Sequence, residues 1–122
     1  MCGICGIIGK PITKSDVELV GKMNEMQKHR GPDDEGIYQN DNIVLGHRRL
    51  SILDLSSAGH QPMSYMDKYV ISYNGEVYNY LELREILIKE GYTFKSNTDT
   101  EVIMAAYDKW GVECFNKFNG FW

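Results

Sequence analysis

A chain of 122 residues, 43% hydrophobic and 25% charged, is long enough for one ordinary domain with a single core and too short for two. Its net charge of −4 gives no basis for nucleic-acid binding, which needs clustered lysine and arginine, and no apolar run approaches the ~18 residues of a membrane helix. The stretch from Ile4 to Ile8 is too short and too glycine-rich for a signal peptide, so a cytoplasmic chain is expected, and three cysteines cannot form a fully paired disulfide scaffold.

In chain order, Cys2 to Ile8 reads as a buried strand closed by Gly9, Lys10 and Pro11. Ser15-Asp16-Val17-Glu18 spells a capping box, and Val17, Val20, Met23 and Met26 recur at helical spacing until His29-Arg30-Gly31-Pro32, predicting a helix over about 16–28. Gly36 to Tyr38 and Ile43 to Gly46 form a hairpin pattern around Asn40-Asp41-Asn42. From Arg48 to Met63 the sequence is irregular and long enough for a functional loop. Tyr69–Tyr73 and Val77-Tyr78 flank Asn74-Gly75, a strong hairpin signal. Asn79 with Glu82 predicts a cap for a helix over about 80–90, and Thr98 with Glu101 caps another over about 99–110. The order of elements is an α+β pattern with mostly antiparallel pairing. The tryptophans and methionines read as core, and His29, His47 and His60 as hydrogen-bonding loop residues.

Chemistry concentrates at Met1-Cys2-Gly3-Ile4. Removal of Met1 would leave a thiol and a free α-amine on one residue, and these titrate at about 8.5 and about 7.7–8.0, so each can exchange a proton with the other near neutrality. Such a residue carries a nucleophile and its base together. The alternative is a cysteine that only starts an apolar strand. Cys2-Gly3-Ile4-Cys5 also spells CxxC, but the residues after it continue a strand where a redox pair would open a helix, and no histidine or cysteine pair completes a zinc site.

Five separated segments then align with one family. Met1-Cys2-Gly3-Ile4, His29-Arg30-Gly31-Pro32-Asp33, His47-Arg48-Arg49-Leu50-Ser51-Ile52, Tyr73-Asn74-Gly75-Glu76-Val77-Tyr78-Asn79 and Thr98-Asp99-Thr100-Glu101-Val102-Ile103 together resemble the glutaminase domain of asparagine synthetases, a class II glutamine amidotransferase. The arginine-containing segment and Gly59-His60-Gln61-Pro62 are similar to that branch rather than to the sugar-phosphate or purine-pathway branches. The resemblance covers residues 1–122 as the N-terminal portion of such a domain. It implies an N-terminal nucleophile hydrolase fold, a four-layer αββα sandwich of antiparallel sheets, incomplete at the C-terminus.

The same resemblance implies roles. Cys2 would attack the side-chain amide of L-glutamine; Asn74, through its side-chain amide, and Gly75, through its backbone N–H, would form the oxyanion hole. Arg49 would take the substrate carboxylate through its planar fork, and backbone groups of Leu50, Ser51, Ile52 and Leu53 would line the pocket. Asp99, with Glu76 nearby, would accept from the α-ammonium, although an acidic residue in a first helical turn also serves the helix dipole. No metal or cofactor is expected in this domain. ATP and Mg would belong to a synthetase domain in the same polypeptide, whose ammonia acceptor is aspartate or another carboxylate. Because the chain finishes on Phe121-Trp122, a truncated domain is expected, and the sheet edge it exposes raises the prospect of a homodimer. The competing reading is a silent fragment that serves only as a folding or oligomerisation module.

Overall fold

The computed structural model describes residues 1–122, and its first layer forms from both ends of the early sequence. Strand β1 (Gly3–Ile8) is followed by helix α1 (Lys14–Met26) and the hairpin of β2 (Asp34–Gln39) and β3 (Ile43–Arg49). The three strands make an antiparallel sheet in the order β1-β3-β2, with Gly3 opposite Arg48 and Asp34 opposite Arg49. The hairpin turns where expected, because the Asn40 side chain accepts from the N–H groups of Asn42 and Ile43.

Helix α1 begins two residues earlier than the spacing predicts, and its capping box is Thr13 with Asp16 instead of Ser15 with Glu18. The Thr13 hydroxyl accepts from Asp16 N–H at 3.3 Å, while the Asp16 carboxylate accepts from Thr13 N–H at 2.9 Å. These bonds hold the Asp16 carboxyl below its ordinary range. One face of α1 packs on the sheet through Val20, which like Val44 is fully buried. Asn24, also buried, donates to the Gly36 carbonyl and accepts from the Cys5 thiol. Strand β1 is an edge strand with one open face, on which Ile4 and Ile8 are exposed, so the expectation of a buried strand is corrected.

A short 3-10 turn (Ser57–Gly59) leads to β4 (Met63–Tyr65) and β5 (Tyr69–Ile71), which pair with each other. Strand β6 (Glu76–Val77) pairs with β7 (Gly120–Phe121) at the far end of the sequence. Between them lie helix α2 (Tyr80–Lys89), helix α3 (Asp99–Trp110) and a 3-10 segment (Gly111–Lys117). Asn74-Gly75 therefore does not turn a hairpin: the strand before it folds back on β4, and the strand after it pairs with β7. Asn79 does not cap α2 either, because its side chain bridges to Lys117 and Asn119 beside β7.

The main core is the contact between α2, α3, β4 and the second 3-10 segment, where Leu83, Leu87, Val102, Ala105, Ala106 and Cys114 are buried. Burial of a side chain such as Leu87, which is wholly enclosed, is worth about 1.5–3 kcal/mol. Not every methionine or tryptophan joins it, since Met26, Met66 and Trp122 are exposed. The architecture is α+β with antiparallel sheets, and no helix is long and apolar enough to cross a membrane.

Candidate active site

Residues from six separated stretches meet in one open cleft at the seam between the α1-backed sheet and the main core. The start of β1 supplies Met1 and Cys2, and the segment leaving β3 supplies Arg49, Leu50, Ile52 and Leu53. Asn74, Gly75 and Glu76 also line it, and Asp99 reaches it from the first turn of α3. Ser51 does not line the cleft; its N–H donates to the Asp33 carboxylate at 2.8 Å.

The Cys2 sulfur rests on the Leu50 peptide, whose N–H donates to it at 3.3 Å. Arg30 Nε donates to the Cys2 carbonyl at 3.1 Å, which ties the start of the strand to the turn after α1. Cys5 points the other way, toward Asn24 and the Val20 carbonyl, where burial pushes its thiol up. All three cysteines are free thiols, and Cys2 and Cys5 face different surroundings.

Arg49 is buried at the end of the central strand. Its Nη1 donates to the Ser56 carbonyl at 3.0 Å, and its Nη2 to the carbonyls of Leu53, at 2.9 Å, and Asp54. Three of the five guanidinium N–H groups thus gather the loop around the cleft, leaving two unspent. Gly59 presses its bare Cα against this guanidinium, where a Cβ would collide with it. The loop is pinned from the other side by Asp54, whose carboxylate accepts from Asn97 N–H at 2.8 Å.

Asp99 is buried, and its carboxylate accepts from Val77 N–H at 2.9 Å. Burial pushes its carboxyl above the ordinary range; the backbone bonds oppose that shift and the nearby Glu76 carboxylate adds to it. Gly75 is squeezed against the chain end, since a Cβ there would lie 2.5 Å from the Phe121 carbonyl oxygen. Tyr73 carries a buried hydroxyl with no partner, and burial beside Asp99 and Glu76 keeps it protonated.

Residue-type reasoning missed Arg30, Gly59, Gln61, Tyr73 and Phe121. Arg30, Gln61 and Tyr73 fall inside quoted motifs, yet the side chains of Arg30 and Gln61 bond backbone groups of Cys2 and Tyr73, and Tyr73 is held through its backbone, none of which motif chemistry displays. The expectation of a loop position for His47 is corrected: it lies in β3, fully buried.

Cys2, at the head of an edge strand, thus shares one cleft with the Asn74-Gly75 pair, the buried Arg49 and the buried Asp99. The family model described as "Glutamine amidotransferase domain" matches residues 1–122. The chain belongs to that family. It is 49% identical, over its whole length, to the putative glutamine-hydrolyzing asparagine synthetase 2 of Methanocaldococcus jannaschii. It is 46% identical to the glutamine-hydrolyzing asparagine synthetase 1 of Bacillus subtilis and 40% identical to asparagine synthetase B of Escherichia coli, with 98% of the chain aligned to each. The chain spans 27%, 20% and 22% of the lengths of these three relatives.

Proposed function

We propose that this chain is the glutaminase part of an asparagine-synthetase-like amidotransferase, hydrolysing L-glutamine to glutamate and ammonia. The observation that carries the reading is the convergence of the Cys2 sulfur, the Asn74-Gly75 pair, Arg49 and Asp99 on one cleft. The four-layer αββα arrangement and the assignment of residues 1–122 to the N-terminal portion of a glutaminase domain belong to the same proposal.

With Met1 removed, the Cys2 α-amine takes the thiol proton as sulfur bonds to the substrate's amide carbon. The carbonyl oxygen becomes an oxyanion that accepts from the Asn74 side-chain amide and Gly75 N–H. Collapse breaks the carbon–nitrogen bond, the α-ammonium returns a proton to the departing ammonia, and a γ-glutamyl thioester remains. Water adds to that thioester through a second oxyanion and releases glutamate and the thiol. The unspent N–H groups of Arg49 hold the α-carboxylate, and the Asp99 and Glu76 carboxylates accept from the α-ammonium. The remaining polypeptide would contain the synthetase domain, with its ATP, Mg and acceptor carboxylate.

The test is an intact mass before and after exposure to an electrophilic glutamine analogue, with Cys2→Ala as control. A Met1-less chain that gains one adduct, absent from the control, supports the reading. A folded, Met1-less chain that gains none sinks it.

Asp99 adds a pH dependence. Its ordinary value is 3.8 and the fold raises it, so Asp99 favours the fold most at acid pH, and this contribution declines as pH rises through the folded value. Binding has the opposite sign, because only the carboxylate pairs with an ammonium. The KM for glutamine should therefore climb, on acidification, at a pH above the ordinary carboxylate range. Asp99→Asn should show a high KM that is flat across that window; an unchanged profile in the variant would remove Asp99 from substrate binding.

A further inference from the structure

We propose that His47 and Gln61 are positioning residues for the oxyanion hole, gripping both backbone polar groups of Tyr73 and thereby aiming Asn74 and Gly75. The inference rests on the glutaminase reading and adds two residues to it.

The segment Ser72–Gly75 lies between β5 and β6 and belongs to no ladder. Its backbone groups must still be met where they are shielded from water. Gln61 Oε1 accepts from Tyr73 N–H at 2.7 Å, and His47 Nε2 stands 3.0 Å from the Tyr73 carbonyl. A carbonyl only accepts, so Nε2 carries the hydrogen and donates. The Tyr73 carbonyl shares a rigid peptide plane with Asn74 N–H, and the histidine therefore sets the plane from which Asn74 departs. Ser72 adds a third peg, donating from Oγ to the Gly46 carbonyl at 3.1 Å.

Both gripping side chains are anchored elsewhere in the site. His47 belongs to β3, two residues before Arg49, and Gln61 Nε2 donates to Thr100 Oγ1 at 3.3 Å, beside Asp99. The two substrate-gripping residues and the two oxyanion donors are thus referenced to one another through two side chains. His47 Nδ1 is buried with no partner. A residue that merely filled the core would not carry that orphaned lone pair; the one hydrogen bond the His47 side chain makes is the one to Tyr73.

The experiment measures steady-state glutamate release and backbone amide hydrogen exchange at Tyr73, Asn74 and Gly75 in His47→Leu, His47→Gln and Gln61→Met. His47→Gln retains a donor near the Nε2 position, whereas His47→Leu and Gln61→Met are close in size and lack the bond. Misdirecting oxyanion donors should lower kcat by roughly 10–100-fold in His47→Leu and Gln61→Met, with KM within about threefold, and His47→Gln should recover to within about threefold of the parent kcat. Exchange at Tyr73 should quicken at least about tenfold in Gln61→Met, because its N–H loses its acceptor. Loss of kcat that simply tracks a rise in KM or a fall in Tm, or His47→Gln no better than His47→Leu, would overturn the proposal. Gln61→Met decides the matter alone if His47→Leu does not fold. A parent chain that releases no glutamate defeats the glutaminase reading, and exchange then judges the clamp separately: unchanged protection in Gln61→Met overturns it.

Discussion

A chain carrying Cys2→Ala should hydrolyse glutamine on the order of 10⁴-fold or more slowly than the parent, because removal of a covalent nucleophile leaves only binding and the oxyanion donors to act. A chain that keeps Met1 should lose about 10²–10⁴-fold, since the Cys2 nitrogen is then an amide and no longer a base. Glutamine affinity, read by calorimetry, should change by only a few-fold in Cys2→Ala. Arg49 and Asp99 lie on other elements, and neither hydrogen-bonds to the sulfur. Residual turnover within tenfold of the parent would dismiss Cys2 as the nucleophile. A collapse of affinity in step with turnover would instead mean that the thiol holds the cleft together through its bond with Leu50.

Gly31→Ala should cost about 3 kcal/mol or more of folding stability, near the upper end for overpacking, because the added methyl would meet backbone that cannot step aside. A Cβ on Gly31 would stand 2.6 Å from Arg49 N and closer still to the carbonyl carbon and oxygen of Arg48. The Gly31 carbonyl also accepts from Arg48 Nε at 3.0 Å, which locks the two segments face to face. Relief would require shifting the end of β3, and Arg49 with it. Denaturant titration should show a lower midpoint, and the surviving folded protein should bind glutamine more weakly. A midpoint unchanged within about 0.5 kcal/mol would show that the turn after α1 can move freely.

The helices were legible to within two residues because their signals are local. Apolar spacing and a Thr side chain three residues from an acid appear in any short window, and Thr98 and Gly111 bracket α3 as read. Even so, Glu101 does not return to Thr98 but accepts from Lys95, Ser96 N–H and the Ser96 hydroxyl, a loop its sequence position does not advertise. The Asn74-Gly75 hairpin failed for the opposite reason: a turn pair can close a hairpin only if its flanks have no better partners. Tyr69–Ile71 pairs with Met63–Tyr65 across Met66-Asp67, two non-glycine residues at positive φ that carry little turn signature. Glu76–Val77 pairs with residues more than forty positions away. Within the candidate site, Cys2, Arg49, Asn74, Gly75 and Asp99 were legible as a set through the five ordered motifs. Single residue types would not have singled them out. His47 and Gln61 were not legible, since their work is done on a backbone whose path depends on tertiary packing.

The pairing of β6 with β7, and the contact of Gly75 with Phe121, set a clock on the molecule's own synthesis. Cys2 leaves the ribosome first and Phe121 near the end of this span, an interval of roughly 6–24 s at 5–20 residues per second. Throughout that interval the nascent thiol lacks the part of its cleft that Phe121 lines. Newly made chains should therefore react with small alkylating reagents without glutamine being able to shield them, until β7 docks on β6.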